Sequence, residues 1–367
     1  MLTTLPLSRN VPAPAGGPSR QLYMLLREAP DRAAATAYLQ RRLAEATALP
    51  PAWSGGVAGL EAWIELRARS RAEEFRQYQA GRAEGAARRH FATLAQARRF
   101  LSVQAPSLLA EGAWLHSVLD HWRQPAYMPL VRLYLEYLGN GVPTANRVAQ
   151  VRQVLAVQAC NNWQDQEDTS FVQGAIRLAL ACTGERYLPE LMGYQLAVDD
   201  QPAAQPSLLH ELAELGIALP APPPGDYVLN AMRAMLGARA DGGGAFLQRL
   251  ENGYALGKIG LQALPATPEG GAPQDEPATQ PAPATPFPPP PRPTEAPRAI
   301  LRHSFPPDEH AWEIIGNDLG LLEAQIAACG SKAEAMTMLA RHMGPAVHHQ
   351  PLGLMATRVF SQLFSLA

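Results

Sequence analysis

Cysteine is scarce. Only Cys160, Cys182 and Cys329 occur in 367 residues, far apart, odd in number and without a CxxC pair. That argues against a disulfide framework or a zinc ribbon and for free thiols in a reducing compartment. Long apolar runs are also lacking, and no segment approaches the ~20 residues needed to span a bilayer. Residues 1–21 lack the basic stretch, apolar run and small-residue cleavage site of a secretory leader. The expectation is a cytoplasmic protein with no membrane partner. Net charge is small, formally -2, which removes the electrostatic case for nucleic acid or anionic lipid. Strand-like alternation of Val, Ile and Thr is almost absent. No GxSxG, Walker loop or dinucleotide fingerprint occurs. Gly242-Gly243-Gly244 has neither the lysine nor the preceding strand of a phosphate loop.

What is present is helical periodicity. Hydrophobic residues make up 47% of the chain, enough to fill a core at this length. Residues 1–20, rich in Pro, Gly and Ser, read as a flexible arm. Over 21–49, Leu22, Leu25, Leu26, Tyr38, Leu39 and Leu43 build a helical stripe that Pro50-Pro51 ends. Further helices fit 60–80, 86–102, a stretch from Pro106 to about Trp122, 130–138, 146–159 and 171–182. Others fit 189–198, 206–215, 227–237 and 245–264. Together, 21–264 reads as one all-α domain. Arginines crowd 67–99, but Glu61, Glu65, Glu73, Glu74 and Glu84 are interleaved. A solvated helix laced with i,i+4 pairs is the better reading than a nucleic-acid face. Residues 265–297 change composition abruptly. The run from Thr285 to Pro293 reads as a polyproline-type linker, ~3.1 Å per residue where that conformation holds, with a docking peptide as the alternative. Residues 298–367 turn helical again, and so small a core is expected to pack back on the main domain.

Three glutamates stand alone among apolar neighbours: Glu111 in EGAWLHSV, Glu136 in YLEYLGNGVPTANR and Glu190 in LPELMGYQLAVDD. A buried carboxylate needs a partner. Lone glutamates on several apolar helices are how helical bundles build di-iron sites. Each is also compatible with a solvent-facing side chain. His116 and Asp120, at i,i+4 with His121 adjoining, form a secondary donor group. His342, His348 and His349, and the group His303, Asp308, Glu309 and His310, show no metal-ligand spacing and read as loop histidines.

Those three blocks, with HELAELGI (210–217) and more weakly HHQPLGLMATRVF (348–360), resemble the iron-containing redox enzymes of the haem-oxygenase-like di-iron oxidase and oxygenase superfamily. The resemblance covers roughly 90–262. It implies a haem-oxygenase-like helical bundle, two iron ions, and dioxygen-dependent oxidation of a small organic substrate. Carried over residue by residue, it implies metal carboxylates at Glu111, Glu136 and Glu190. Where the family has histidine and aspartate ligands, this chain has Arg147, Arg233 and Arg239. A guanidinium has no lone pair to give a metal, but it can neutralise a buried glutamate through paired hydrogen bonds. Two expectations follow. In one, Arg–Glu pairs replace the iron and the chain is a non-catalytic protein that binds a small molecule or a partner in the old cavity. In the other, the glutamates still hold iron with other donors. A homodimer is compatible with either.

Overall fold

The computed structural model describes residues 17–198, 201, 204–223, 226–237, 243–262 and 309–365. The linker read over 265–297 lies outside the described residues, as does almost all of the arm read over 1–20. Among the described residues there are fourteen α-helices and no strand. None of these helices is long and apolar enough to cross a membrane.

Helix α1, Pro18–Glu28, opens on a proline at its first turn and buries Leu22, Tyr23 and Leu26. It begins inside the stretch read as an arm. The single helix read over 21–49 is two helices. Pro30 disfavours helical backbone at Ala29, which is extended at φ -150°, ψ 140°. Asp31 then caps α2, Arg32–Ala46, accepting from the Ala34 amide. Helix α3, Gly56–Ala83, buries only Leu60 and Tyr78 and carries exposed pairs such as Arg69–Glu65 and Arg76–Glu73. It is held by a few contacts, because exposed pairs of this kind contribute little. Helix α4, Leu94–Leu108, starts at a Thr93/Gln96 capping box. Pro106 does not open the next helix; it lies in the last turn of α4. The segment after it is not α-helical either. Gly112, at φ 77°, breaks the path, and Ala113–His121 runs on as a 3-10 helix with i→i+3 bonds.

The remaining helices are α5 (Met128–Tyr137), α6 (Arg147–Val157), α7 (Asp168–Thr183), α8 (Leu188–Val198), α9 (Pro206–Glu214), α10 (Asp226–Gly237) and α11 (Gly244–Gln262), followed by α12 (Glu309–Ala327), α13 (Lys332–Arg341) and α14 (Pro351–Ser365). Every residue of α8 is buried, and α7 is buried almost throughout. These two form the centre. Helix α11 crosses α8 at backbone contact, which glycine alone permits. A Cβ on Gly193 would meet the Leu250 carbonyl oxygen at 1.7 Å, and one on Gly253 would meet the Glu190 carbonyl oxygen at 2.0 Å. The close crossing sets the register that later brings Arg249 to Glu190.

The C-terminal helices dock on the main domain through side chains that reach backbone. The Tyr134 hydroxyl donates to the Met343 carbonyl at 2.6 Å, and His116 Nε2 lies 3.2 Å from the Ala340 carbonyl. Gly141, at φ 76°, lets α14 approach: a Cβ there would lie 2.5 Å from the Arg358 nitrogen. Asn146 joins both parts. Its amide nitrogen is 3.3 Å from the Leu138 carbonyl and 3.1 Å from His348 Nδ1, while its oxygen caps α6 at the Ala149 amide.

An amide that donates to Nδ1 requires a neutral His348 ring. Burial holds its pKa well below the ordinary value, reinforced by His349, His116 and Arg152 nearby. Burial, then Arg152 and Arg27, push His349 from 6.5 to about 4. Both rings stay neutral when folded, so the unfolded chain binds protons that the folded chain refuses. Stability is therefore full above pH 6.5 and falls as pH drops from there toward the His349 value of about 4. Thermal melts from pH 7 to 4.5 should show a steadily falling midpoint, and His349→Gln should flatten the slope. An unchanged slope in that variant would contradict this assignment.

Candidate functional site

The first glutamate and the first arginine meet. Glu111 sits in the turn after α4, its amide bonded to the Leu108 carbonyl. Arg147 is the first residue of α6, placed by the Asn146 cap and by the Gly139–Gly141 turn. Asn140 in that turn has φ 50°, and a Cβ on Gly139 would lie 2.3 Å from the Ala145 carbonyl carbon. The tight turn reverses the chain, and α6 packs against α4. Arg147 Nη2 then donates to Glu111 Oε1 at 2.8 Å, with both side chains under a tenth exposed. A second Arg147 nitrogen donates to the Ala221 carbonyl. The guanidinium carbon lies 5.5 Å from the centre of the Tyr137 ring.

The second glutamate has a different partner. Arg249 Nε and Nη2 each donate to Glu190 at 2.7 Å, one to each carboxylate oxygen. This is the forked, two-bond geometry that matches guanidinium to carboxylate. Arg249 precedes Gly253 by one turn of α11, and Gly253 rests on the Glu190 backbone. The pair follows from the crossing. The third glutamate, Glu136, accepts from the Tyr227 hydroxyl.

Arg233 does not join any of the three. It pairs with Glu61 at 2.7 Å on the surface. Val228, Ala231, Met232 and Met235 form the inward stripe of α10, which turns Arg233 outward toward α3. Arg239 lies outside the described residues. His116 and Asp120 do not form a joint donor face. In a 3-10 helix positions i and i+3 eclipse, and i+4 rotates away. His116 engages the Ala340 carbonyl, whereas Asp120 is exposed beside a surface cleft. Burial lowers the His116 pKa.

A buried arginine that sequence reasoning passed over completes the interior. Arg177, 1% exposed on α7, donates to the Ser107 carbonyl at 2.7 Å, to the Tyr194 hydroxyl at 3.1 Å and to Gln201 Oε1. Its guanidinium carbon sits 4.8 Å from the centre of the Trp114 ring. Trp114 donates to Gln195 Oε1 at 3.0 Å, and Gln195 donates to the Tyr137 hydroxyl at 3.4 Å. A polar chain thus runs from Arg177 to the ring over which Arg147 lies. Burial raises the Tyr194 pKa, and Arg177 offsets part of that rise.

Chemically, this set does not suit a di-iron centre. Each of the three glutamates already has its own donor, and the guanidinium beside Glu111 would repel a cation. Among the described residues, no three His, Cys, Asp or Glu side chains converge on a point that could hold a metal ion. In comparisons with known proteins, the chain matches no family model, no curated protein and no solved structure.

The two carboxylate pairs should differ in weight. Glu111→Gln leaves the Arg147 charge buried without its counter-charge and should cost roughly 3 kcal/mol. Glu190→Gln should cost about half as much, because the half-exposed Arg249 can turn to water. Urea midpoints at constant m-value measure both, and equal losses would show that burial of the arginine does not set the difference.

Proposed function

We propose that this chain is a non-catalytic, ligand-binding relative of the haem-oxygenase-like iron-containing redox enzymes. Arg–Glu pairs stand in it where that family holds iron. The observation that carries this reading is the buried ion pair between Arg147 and Glu111. A guanidinium at a ligand position offers no lone pair, and its charge offsets the carboxylate that iron would otherwise neutralise, bonding Glu111 Oε1 while Oε2 has no hydrogen-bond partner among the described residues.

The interior also leaves little room for a substrate of the ancestral kind. Trp114 packs edge-on against Tyr137 and Tyr194, each at 5.4 Å between ring centres, and Arg177 closes over the Trp114 face. A ligand would bind in a surface recess rather than among the glutamates. The three free thiols suit a reducing, cytoplasmic setting.

The test is metal uptake. Purified protein incubated anaerobically with ferrous iron, desalted and measured for bound metal should retain none above background. About two irons per chain, the stoichiometry that a functional carboxylate-bridged site would give, would overturn the reading.

A further inference from the structure

A cleft of about 460 Å³ lies between the start of α2, the end of the 3-10 helix and the turn after α7. That volume falls within the range of roughly 300–1,000 Å³ that encloses a small ligand. Its walls carry Arg32, Thr36, Asp120, His121, Thr183 and Arg186, with Gly184 between the last two. Arg82, Arg88, Arg147, Arg233 and Arg249 each pair with a glutamate, whereas Arg98 and Arg177 rest on uncharged acceptors. Among the described residues, Arg32 and Arg186 pair with no carboxylate, and Asp120 pairs with no cation. Unpaired charge of both signs is gathered around one recess.

The backbone supports the recess. Gly184 has φ 62° and ψ -146°, a conformation essentially restricted to glycine. A Cβ there would lie 3.1 Å from an Arg32 nitrogen, so the glycine keeps space beside that guanidinium. Arg32 Nε is anchored on the Cys182 carbonyl at 3.4 Å, which leaves its other N–H groups unused. The hydroxyls of Thr36 and Thr183 donate to the Arg32 and Leu180 carbonyls. Their oxygens can therefore only accept from a ligand.

We infer that this cleft binds a small phosphorylated polyol, such as a sugar phosphate. Two guanidinium groups match a phosphomonoester that carries nearly two negative charges at neutral pH. Asp120 and the two threonine oxygens are acceptors, which call for hydroxyl donors on the same ligand. Inorganic phosphate would satisfy the arginines alone, and an uncharged sugar the acceptors alone. The inference does not rest on loss of the metal site, which iron uptake tests separately.

Titration calorimetry on the full chain with glucose 6-phosphate, inorganic phosphate and glucose decides it. The ester should bind at least about fivefold more tightly than phosphate, and glucose should not bind. Arg32→Gln and Arg186→Gln should each weaken the ester about tenfold, the loss of one charge-assisted contact. Asp120→Asn should bring the ester and phosphate affinities together. All three side chains are exposed, so the variants should keep the parent melting temperature. No ester binding at millimolar concentration, ester affinity unchanged in both arginine variants, or binding to phosphatidylglycerol vesicles without binding to the free ester would each overturn the inference.

Discussion

A carboxylate and a guanidinium buried together constrain the middle of this molecule. Neither Glu111 nor Arg147 could be taken out of water alone, since an unpaired buried ion costs several kcal/mol. Their contact therefore fixes where α6 must begin relative to the end of α4. The Asn146 cap, the glycine turn that precedes it and the His348 ring that Asn146 holds are all arranged around that requirement. The C-terminal helices are tied to the same point, because Asn146 holds the buried His348 ring, whose pKa burial lowers.

A second constraint acts at the other end of the core. Helices α8 and α11 touch at their backbones through Gly193 and Gly253. This contact delivers Arg249 to Glu190 without a long reach. Between the two ion pairs lies Arg177, whose charge is met by a carbonyl, a hydroxyl, an amide oxygen and an indole face. Half-exposed Arg249 reaches the buried Glu190 from the surface, and the interior thus holds two buried arginines, Arg147 and Arg177. It is charged and hydrogen-bonded, and aromatic rings fill the space between.

Helical class was legible because apolar residues recur at helical spacing and β-branched alternation is absent. Breaks were less legible. Pro30 splits one stripe into two helices although the periodicity runs across it. The 3-10 stretch over Ala113–His121, nine residues long, is too short for its apolar pattern to separate three residues per turn from 3.6. Arg147 could be placed from the sequence because the LGNG turn fixes it a short span after Glu136, but its partner, Glu111, could not. Arg233 lacked such an anchor, and its face of α10 is set by the buried stripe at Val228, Ala231, Met232 and Met235. The Arg249–Glu190 pair depends on a crossing that only the folded backbone reveals. Arg177 carried the same signal as the glutamates, one charge inside an apolar helix, and was legible on that criterion.

The account turns on mutual neutralisation of Glu111 and Arg147, and a double-mutant cycle measures that directly. Glu111→Leu, Arg147→Met and the double variant would be compared by urea unfolding. Each single change should destabilise strongly, because it strands the other charge. The double change should recover much of the loss, with a coupling of about 2 kcal/mol or more. Single effects that add to within about 0.5 kcal/mol would mean that the two charges do not depend on each other, and the account would fail.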